Sequence, residues 1–259
     1  MKKLALLISS ALLVTACGGG GSGDGNSSTG GGSANLTKVT NDSARGMSGS
    51  AKTVDPAAAR GVVNNFGSSG NQGVSQVAKA AFYGMRAASQ SETVPCYRGN
   101  GQIVATVEQQ QGDNGVASLS IDKCSLSDDL NIIANGKLRM AVKDEAFTID
   151  GNFVLRDENK AENLLALNSL KFAFSAKTGI AFSSTITADG NTHNVTFAQT
   201  AISGPSSNIT TSLKIEGADS TWVEVVRVAD VYGTEASCEV TQSAGLSLTK
   251  EDGCSLLRL

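Results

Sequence analysis

The sequence is poor in the side chains on which most enzyme chemistry and nucleic-acid binding depend. Of 259 residues, one is histidine, three are proline and 5% are aromatic, and 24 acidic residues outnumber 21 basic ones. One histidine leaves little for a catalytic triad or a zinc site, and an acidic excess repels nucleic-acid phosphates. Aromatic residues scattered singly form none of the girdles that frame a membrane β-barrel. We therefore expect no nucleic-acid partner and disfavour a membrane barrel.

One long hydrophobic run is present, at the start of the chain. Lys2 and Lys3 precede an apolar stretch, Leu4–Val14, that is broken by two serines and is too short to span a bilayer as a permanent helix. A short positive region followed by such a run is typical of a secretory signal peptide. Residues 1–16 are therefore predicted to be a cleaved leader.

The run ends in Val14, Thr15, Ala16 and Cys17, which resembles the lipobox of bacterial lipoproteins. The resemblance implies cleavage before Cys17 by the lipoprotein signal peptidase and acylation of this residue, so that fatty chains such as palmitate anchor the protein to a membrane. Gly18 stands where Asp is the family's usual signal for retention in the inner membrane. The resemblance therefore implies the outer membrane, with either the periplasmic face or the cell surface open to the folded part.

Composition divides the mature chain into three parts. Residues 17–54 are predicted to be the lipidated cysteine and a Gly/Ser-rich tether, because they hold little to bury. Residues 55–90 carry apolar side chains at steps of three and four and are predicted to form one or two short helices. Residues 91–259 are predicted to form a β domain. Residues 36–90 have an excess of basic side chains and the β domain an excess of acidic ones, so we expect the helices to dock on the β domain, with anionic lipid as the competing contact.

Strict apolar–polar alternation dominates after Pro95 and predicts strands with one buried face. The alternating segments are Ile103–Val107, Ala117–Ile121, Leu138–Val142, Phe147–Ile149, Phe153–Leu155, Leu170–Phe174, Ile180–Phe182, Val195–Phe197, Leu213–Ile215 and Leu246–Leu248. Hairpin turns are predicted at Asn114-Gly115, Asn135-Gly136, Asp150-Gly151, Asp189-Gly190 and Asp252-Gly253. The fold class is thus mainly β, an antiparallel meander of about 11 or 12 strands. A flat sheet of this width is unfavourable, so it should curl into a barrel-like or sandwich form.

Four cysteines remain once Cys17 carries lipid: Cys96, Cys124, Cys238 and Cys254. The bacterial periplasm is oxidising, so we expect two disulfides, for which three connectivities are available. We favour Cys96–Cys124 and Cys238–Cys254, because each pair flanks a strand–turn–strand unit and can meet across neighbouring strands. A zinc site is the rival interpretation, but no Cys-x-x-Cys pair or nearby histidine supports it.

The β domain also looks like a loose class of largely uncharacterised Gram-negative lipoproteins. The matching segments are Cys96–Gly99, Ile121–Cys124, Asn135–Leu138 and Asp150–Phe153. In that class a cysteine precedes a Gly-containing strand, a second cysteine follows the next strand, and hairpins with Asx-Gly turns repeat. The resemblance supports the fold and implies no mechanism.

We find no constellation of residues that points to catalysis, a metal or a cofactor. His193 follows Asp189-Gly190 and is interpreted as an exposed residue of a hairpin turn. The acidic pairs at 128–129, 144–145 and 157–158 put adjacent residues on opposite faces of a strand, so they are interpreted as solvated turns rather than an acid/base dyad. Calcium binding at Asp113-Asn114 or Asp128-Asp129 lacks the alternating oxygen ligands of a calcium loop.

These observations favour a non-enzymatic, outer-membrane-anchored module that binds another envelope protein or assists envelope assembly. Two alternatives stay open. A curled sheet can enclose a lipid or another apolar ligand and act as a carrier, if it has an apolar pocket of roughly 300 Å³ or more. A surface adhesin is the other alternative, and an enzyme is the least supported class.

Replacing Cys17 with Ser is expected to abolish lipidation and maturation, because serine offers no thiol to acylate. The precursor should then accumulate and leave the membrane fraction, as followed by immunoblotting of fractionated cells. Unchanged maturation and unchanged membrane association of the variant would contradict the anchor.

Overall fold

In the computed structural model, the described residues are 35–48, 91–96 and 101–257, except 113, 126–131, 145, 160–162, 176, 189, 201–207, 231 and 233. The predicted leader, Cys17 and the predicted helical segment 55–90 lie outside the described residues.

The described residues form an antiparallel β domain with two short helices. The strands are β1 (Ser91–Pro95), β2 (Gln102–Gln111), β3 (Asn114–Ser125), β4 (Ile132–Lys143), β5 (Ala146–Asp157), β6 (Asn163–Ser175), β7 (Gly179–Ala188), β8 (Asn191–Thr200), β9 (Asn208–Glu216), β10 (Trp222–Asp230) and β11 (Glu235–Gln242). The helices are α1 (Asn41–Ser48) and α2 (Lys250–Ser255). All eleven strands pair in sequence order in one sheet, so the predicted meander is confirmed.

The strand register aligns one apolar row across the sheet. From β2 to β11 its members are Val107, Ala117, Met140, Ile149, Phe172, Phe182, Phe197, Leu213, Val225 and Val240, each paired with the next. The neighbouring row, one residue away on each strand, is Thr106, Ser118, Arg139, Asp150, Lys171, Ser183, Thr196, Lys214, Glu224 and Thr241. Successive side chains of a strand point to opposite faces, so these rows define an apolar inner face and a polar outer face.

The sheet curls around its inner face. Strands lie about 4.8 Å apart, so eleven flat strands span roughly 50 Å and leave one apolar face in water. Instead, buried residues from β2, such as Ile103, and from β10, such as Val225, belong to one connected core. Within the described residues β1 and β11 do not pair with each other, so the curled sheet is open. The predicted curled form is confirmed.

A line of irregularities crosses β3 to β6 where the sheet bends. Lys123 in β3 and Ser169 in β6 have positive φ angles of 43° and 53°, which side chains other than glycine rarely adopt. Their backbone N–H groups donate to the side-chain carbonyls of Asn135 and Asn152, at 2.9 Å in each case. Bulges of this kind bend a strand and increase its twist. The two asparagines therefore satisfy the backbone groups that the bend removes from the ladder.

Glycines bring the backbones of β4 and β5 close together along the same line. A Cβ atom at Gly136 would lie 2.5 Å from the carbonyl oxygen of Asn152, and one at Gly151 would lie 2.1 Å from that of Lys137. These positions were predicted as hairpin turns, and that prediction is wrong, because both lie inside long strands. Asx-Gly pairs allow a bend as well as a reversal of the chain, since each relaxes the steric limits on the backbone.

Other turn predictions had mixed outcomes. Gly190 lies in the connection between β7 and β8 with a φ of 73°, as predicted for the Asp189-Gly190 turn. Asn114-Gly115 opens β3 instead of forming the turn, and Asp252-Gly253 lies in α2. Leu246–Leu248, predicted as a strand, is irregular. Thr249 is the N-cap of α2, because its hydroxyl accepts a hydrogen bond from the N–H of Asp252 at 3.1 Å. The capped helix therefore forms in place of the turn predicted at Asp252-Gly253.

Both edges of the open sheet are blunted against pairing with another chain. β1 is only five residues long and ends in Pro95, which has no N–H to donate. Next to the other edge, the side-chain amide of Gln242 exchanges hydrogen bonds with the backbone of Leu248, at 3.0 and 3.1 Å. The C-terminal segment therefore covers the end of β11.

Replacing Gly136 with Ala should force β4 and β5 apart at the bend, because the new methyl group meets backbone that cannot rotate away. We expect the free energy of unfolding to fall by about 2–4 kcal/mol in urea denaturation with both disulfides intact. Gly112→Ala is the control: its φ is 61°, but no atom lies within 4 Å of the added Cβ. The control should lose about 1 kcal/mol. Equal losses would contradict the close approach.

Candidate functional site

Two disulfides tie the ends of the sheet to neighbouring elements. Cys96 is bonded to Cys124 and Cys238 to Cys254, with S–S distances of 2.03 and 2.05 Å. The first bridge joins the residue after β1 to the end of β3, and the second joins β11 to α2. The favoured connectivity is confirmed. Since Cys124, Cys238 and Cys254 are each at most 2% exposed, these bridges act as structural links within the core.

A short N-terminal segment, Asn35–Thr40, is seated in the sheet; we call it the strap. Pairing of β8 with β9 reaches only to Asn194, so the first residues of β8 lack a partner strand on that side. There the N–H of Thr37 donates to the carbonyl of Thr192 at 2.8 Å, and the N–H of Thr192 donates to the hydroxyl of Thr37 at 3.2 Å. The strap thus continues the sheet where β9 is missing.

The other side of the strap bonds to the turn between β9 and β10. The N–H of Ala218 donates to the carbonyl of Thr37 at 2.9 Å, and the N–H of Val39 donates to the hydroxyl of Thr221 at 2.9 Å. Gly217 permits this approach, because a Cβ atom there would lie 2.1 Å from the carbonyl oxygen of Thr37. We call Thr192, Gly217, Ala218 and Thr221 the slot.

Apolar contact and helix capping hold the strap from its C-terminal side. Val39 is 0% exposed and belongs to the same core as the inner face of the sheet. Thr40 and Ser43 exchange side-chain-to-backbone hydrogen bonds of 2.7 and 3.1 Å, which starts α1 as in a capping box. The amide of Asn41 then bonds to the hydroxyl and N–H of Ser247, at 2.7 and 3.1 Å.

The strap corrects the predicted extent of the tether. A tether over residues 17–54 was expected, yet residues 35–48 form the strap and α1, and Val39 and Ala44 are buried. Composition did not predict this order, because the segment is held by four hydrogen bonds to distant residues and by the burial of Val39. The β-branched residues at 37, 39 and 40 were the available signal.

His193 is buried, so its interpretation as an exposed turn residue is wrong. It lies in β8, pairs with Ile186 of β7 and is 0% exposed. Burial lowers its pKa below the usual 6.5, and the backbone of Lys38 in the strap partly offsets this effect. Neither ring nitrogen forms a hydrogen bond of normal geometry with the described residues. Burial therefore favours the neutral form of the imidazole.

Charged side chains on the outer face pair with one another. Glu108 accepts hydrogen bonds from Ser118 and from Arg139, the latter at 3.0 Å, and these bonds hold the pKa of Glu108 below its usual range. Lys214 bonds to Glu216 at 2.6 Å, which raises the pKa of Lys214. Such exposed pairs add little stability, and we interpret them as a solvated face.

The described acidic residues do not converge on a catalytic or metal site. Asp144 is exposed, with its N–H bonded to the side chain of Asn114, and Asp157 accepts the N–H of Asn159 at 2.9 Å. The candidate residues Asp113, Asp128, Asp129 and Glu145 lie outside the described residues. Across the described ranges, no three His, Cys, Asp or Glu residues are grouped so that they could hold a metal ion.

A pocket of about 330 Å³ lies beside the second disulfide. Its lining residues are Cys238, Glu239, Val240, Thr241, Leu248 and Lys250. Carboxylate, hydroxyl and ammonium groups share this lining with apolar side chains, so it differs from the apolar pocket that a lipid carrier requires.

Tyr232 stands out on the surface, because it is 89% exposed in the connection between β10 and β11. The carboxylate of Asp230 accepts the N–H groups of Tyr232 and Thr234, at 2.9 and 2.8 Å. An Asx turn of this kind fixes the backbone under the ring. The tyrosine is therefore presented to solvent from a braced hairpin tip.

Replacing Thr221 with Val should weaken the seating of the strap, because it leaves the buried N–H of Val39 without an acceptor. We expect a loss of about 1–3 kcal/mol in the free energy of unfolding, measured by urea denaturation. Hydrogen exchange should speed up at the amides of Thr37 and Val39. The control Thr196→Val changes an exposed threonine of the outer face and should stay within about 0.5 kcal/mol of wild type. If the two variants behave alike, the bond to Thr221 does not hold the strap.

Among the described residues, no helix has the length and apolar character needed to cross a membrane. No protein-family model, curated protein or solved structure matches the chain.

Proposed function

We propose that this protein is an outer-membrane lipoprotein whose β domain is a non-enzymatic binding or assembly module of the cell envelope. The observation that carries the proposal is the leader that ends in Val14–Cys17, with Gly18 after the acylated cysteine. Acyl chains contribute about 0.8 kcal/mol per buried methylene, so two or three chains at Cys17 suffice for stable anchoring.

The two disulfides support an exported location. Disulfides persist in oxidising compartments and are rare in the reducing cytosol. Here both bridges are formed within the folded domain, and they use all four cysteines other than Cys17. The remaining thiol is thus the one that the lipobox assigns to lipid.

The interior of the sheet favours binding through the surface over enclosure of a ligand. Phe172, Phe182 and Phe197 follow one another across three neighbouring strands, each at most 6% exposed. Phe147 adds an edge-to-face contact with Phe172, with ring centroids 6.3 Å apart. These buried aromatic side chains occupy part of the inner face, so the carrier function has less support than the binding module.

Tyr232 is the contact point that we assign to the module. Tyrosine is enriched among the residues that dominate protein interfaces, because a rigid ring buries a large area and keeps a polar hydroxyl. Asp230 holds the hairpin tip before any partner arrives, which limits the entropy lost on binding. The partner that fits is an envelope protein with a pocket for one aromatic side chain.

Tyr232→Ala should abolish most partner capture without destabilising the fold. Removing an aromatic anchor typically costs about 2 kcal/mol or more, which corresponds to roughly 30-fold in affinity. The measurement is chemical crosslinking in intact cells followed by mass spectrometry, with thermal unfolding of each purified variant as the check on folding.

Gln110→Ala is the matched control, because Gln110 is an exposed residue near the tip of another hairpin, between β2 and β3. It should capture partners as the wild type does. Wild-type protein that crosslinks only to its own copies would contradict the binding module. Protease added to whole cells distinguishes a surface role, in which the domain is cleaved, from a periplasmic one.

A further inference from the structure

The one histidine of the chain is enclosed at the point where the strap enters the sheet. His193 is 0% exposed, and both of its ring nitrogens lack hydrogen bonds of normal geometry within the described part of the chain. It shares the inner face with its cross-strand partner Ile186 and with Val195, which are both in the core. A charged imidazole in such surroundings is poorly stabilised, because the backbone of Lys38 offsets only part of the effect of burial.

The strap forms one wall of this enclosure. Thr192, directly before His193, bonds to Thr37 through both its N–H and its carbonyl group. The backbone of Lys38, the next strap residue, is the polar group that influences the imidazole. Departure of the strap therefore opens the imidazole to water, whereas its return favours the neutral ring.

No charged side chain of the described residues compensates a proton on His193. Burial and the backbone of Lys38 are the two influences on its protonation, with no carboxylate among them. β7 contributes Thr185–Thr187, which are uncharged, and the side chain of Lys38 is exposed. Glu216, at the end of β9, is engaged by Lys214 at 2.6 Å, and Asp42 in α1 is exposed.

We propose that protonation of His193 releases the strap from the slot, so that His193 makes the attachment of the N-terminal segment sensitive to acid. The rest of the sheet does not depend on the strap for its pairing, because its eleven strands follow one another without it. Release is therefore a local opening and not unfolding of the domain.

The direction of the pH dependence follows from linkage. The seated state has a His193 pKa below 6.5, and the released state regains the usual value of 6.5. Seating is therefore fully stable above this pH and loses stability as pH falls through the interval between the two pKa values. Within that interval the equilibrium constant for release increases up to tenfold per pH unit.

Release changes what the domain presents. The slot loses its occupant, and Val39 leaves the core, so that backbone groups of Thr192 and Ala218 and an apolar socket become accessible. In a lipid-anchored chain, the six strap residues also add about 20 Å of reach between the anchor and the sheet. Only this last consequence rests on the proposed anchor.

The decisive experiment follows His193 and the strap together in the full mature chain. A single imidazole signal in NMR spectra reports the pKa of His193 without assignment ambiguity, since the chain has one histidine. Hydrogen exchange, corrected for intrinsic rates, reports the protection of Thr37 and Val39. We expect an imidazole pKa below 6.5 and strap protection that falls up to tenfold per pH unit below that value, while amides of β3 to β5 stay protected. Strap protection that is equal at pH 7.5 and 5 overturns the proposal.

Variants separate the switch from a structural role of the histidine. His193→Gln cannot take up a proton, so its strap protection should be independent of pH; retained acid release would overturn the proposal. Thr221→Val weakens seating, and by reciprocity it should move the imidazole pKa of His193 towards 6.5. Lys38→Ala changes an exposed side chain of the strap and should leave that pKa unchanged. The Thr221→Val measurement keeps the native histidine, so it decides the question even if His193→Gln does not fold.

Discussion

The alignment of a single apolar row across ten strands is the constraint on which the rest of the structure depends. Side chains alternate between faces with a period of two, so a slip of one residue in any strand would turn its part of the row to solvent. The register keeps Met140, Phe172 and Val225 on one face and Arg139, Lys171 and Glu224 on the other. Burial of that face requires the sheet to curl, since the described residues provide no second sheet to cover it.

Curling creates two needs that specific residues meet. The strands must bend, which Gly136 and Gly151 allow through close backbone approach and which Asn135 and Asn152 support by accepting displaced N–H groups. Unpaired backbone must also be covered, both beside β8 where β9 stops and at the end of β11. The strap and the C-terminal helix do this from opposite ends of the sequence, and Asn41 and Ser247 join them directly.

This arrangement explains why the one histidine of the chain is buried. The strap inserts its backbone where β9 stops, and the side chain of His193 falls beneath it. In such a site histidine contributes a proton-dependent energy term to the seating of the strap. The same strap lies between the proposed anchor and the sheet, so a change in its seating alters how the domain is held.

Periodicity in the sequence was sufficient to predict the mainly β meander, because alternation is a local signal. The positions of the cysteines relative to the predicted strands were sufficient to predict the two disulfide pairs. Asx-Gly pairs predict reversals of the chain, but at Asn135-Gly136 and Asp150-Gly151 they lie at a bend inside a strand. The same Asx-Gly pair suits a hairpin turn and a bend inside a strand, and only the pairing with the neighbouring strand distinguishes them. His193 was misjudged for a related reason, since its burial depends on a strap more than 150 residues away in the chain.

The amino-acid sequence alone thus determined the strand pattern, the choice of buried face, the pairing of cysteines and the expectation of a lipid anchor. Tertiary structure decided where the sheet bends, that residues 35–40 bond to it, and that the one histidine is buried. The physical reason is range: alternation and turn chemistry act over a few residues, whereas burial and hydrogen-bond satisfaction at the slot depend on segments that meet only after the whole sheet has curled.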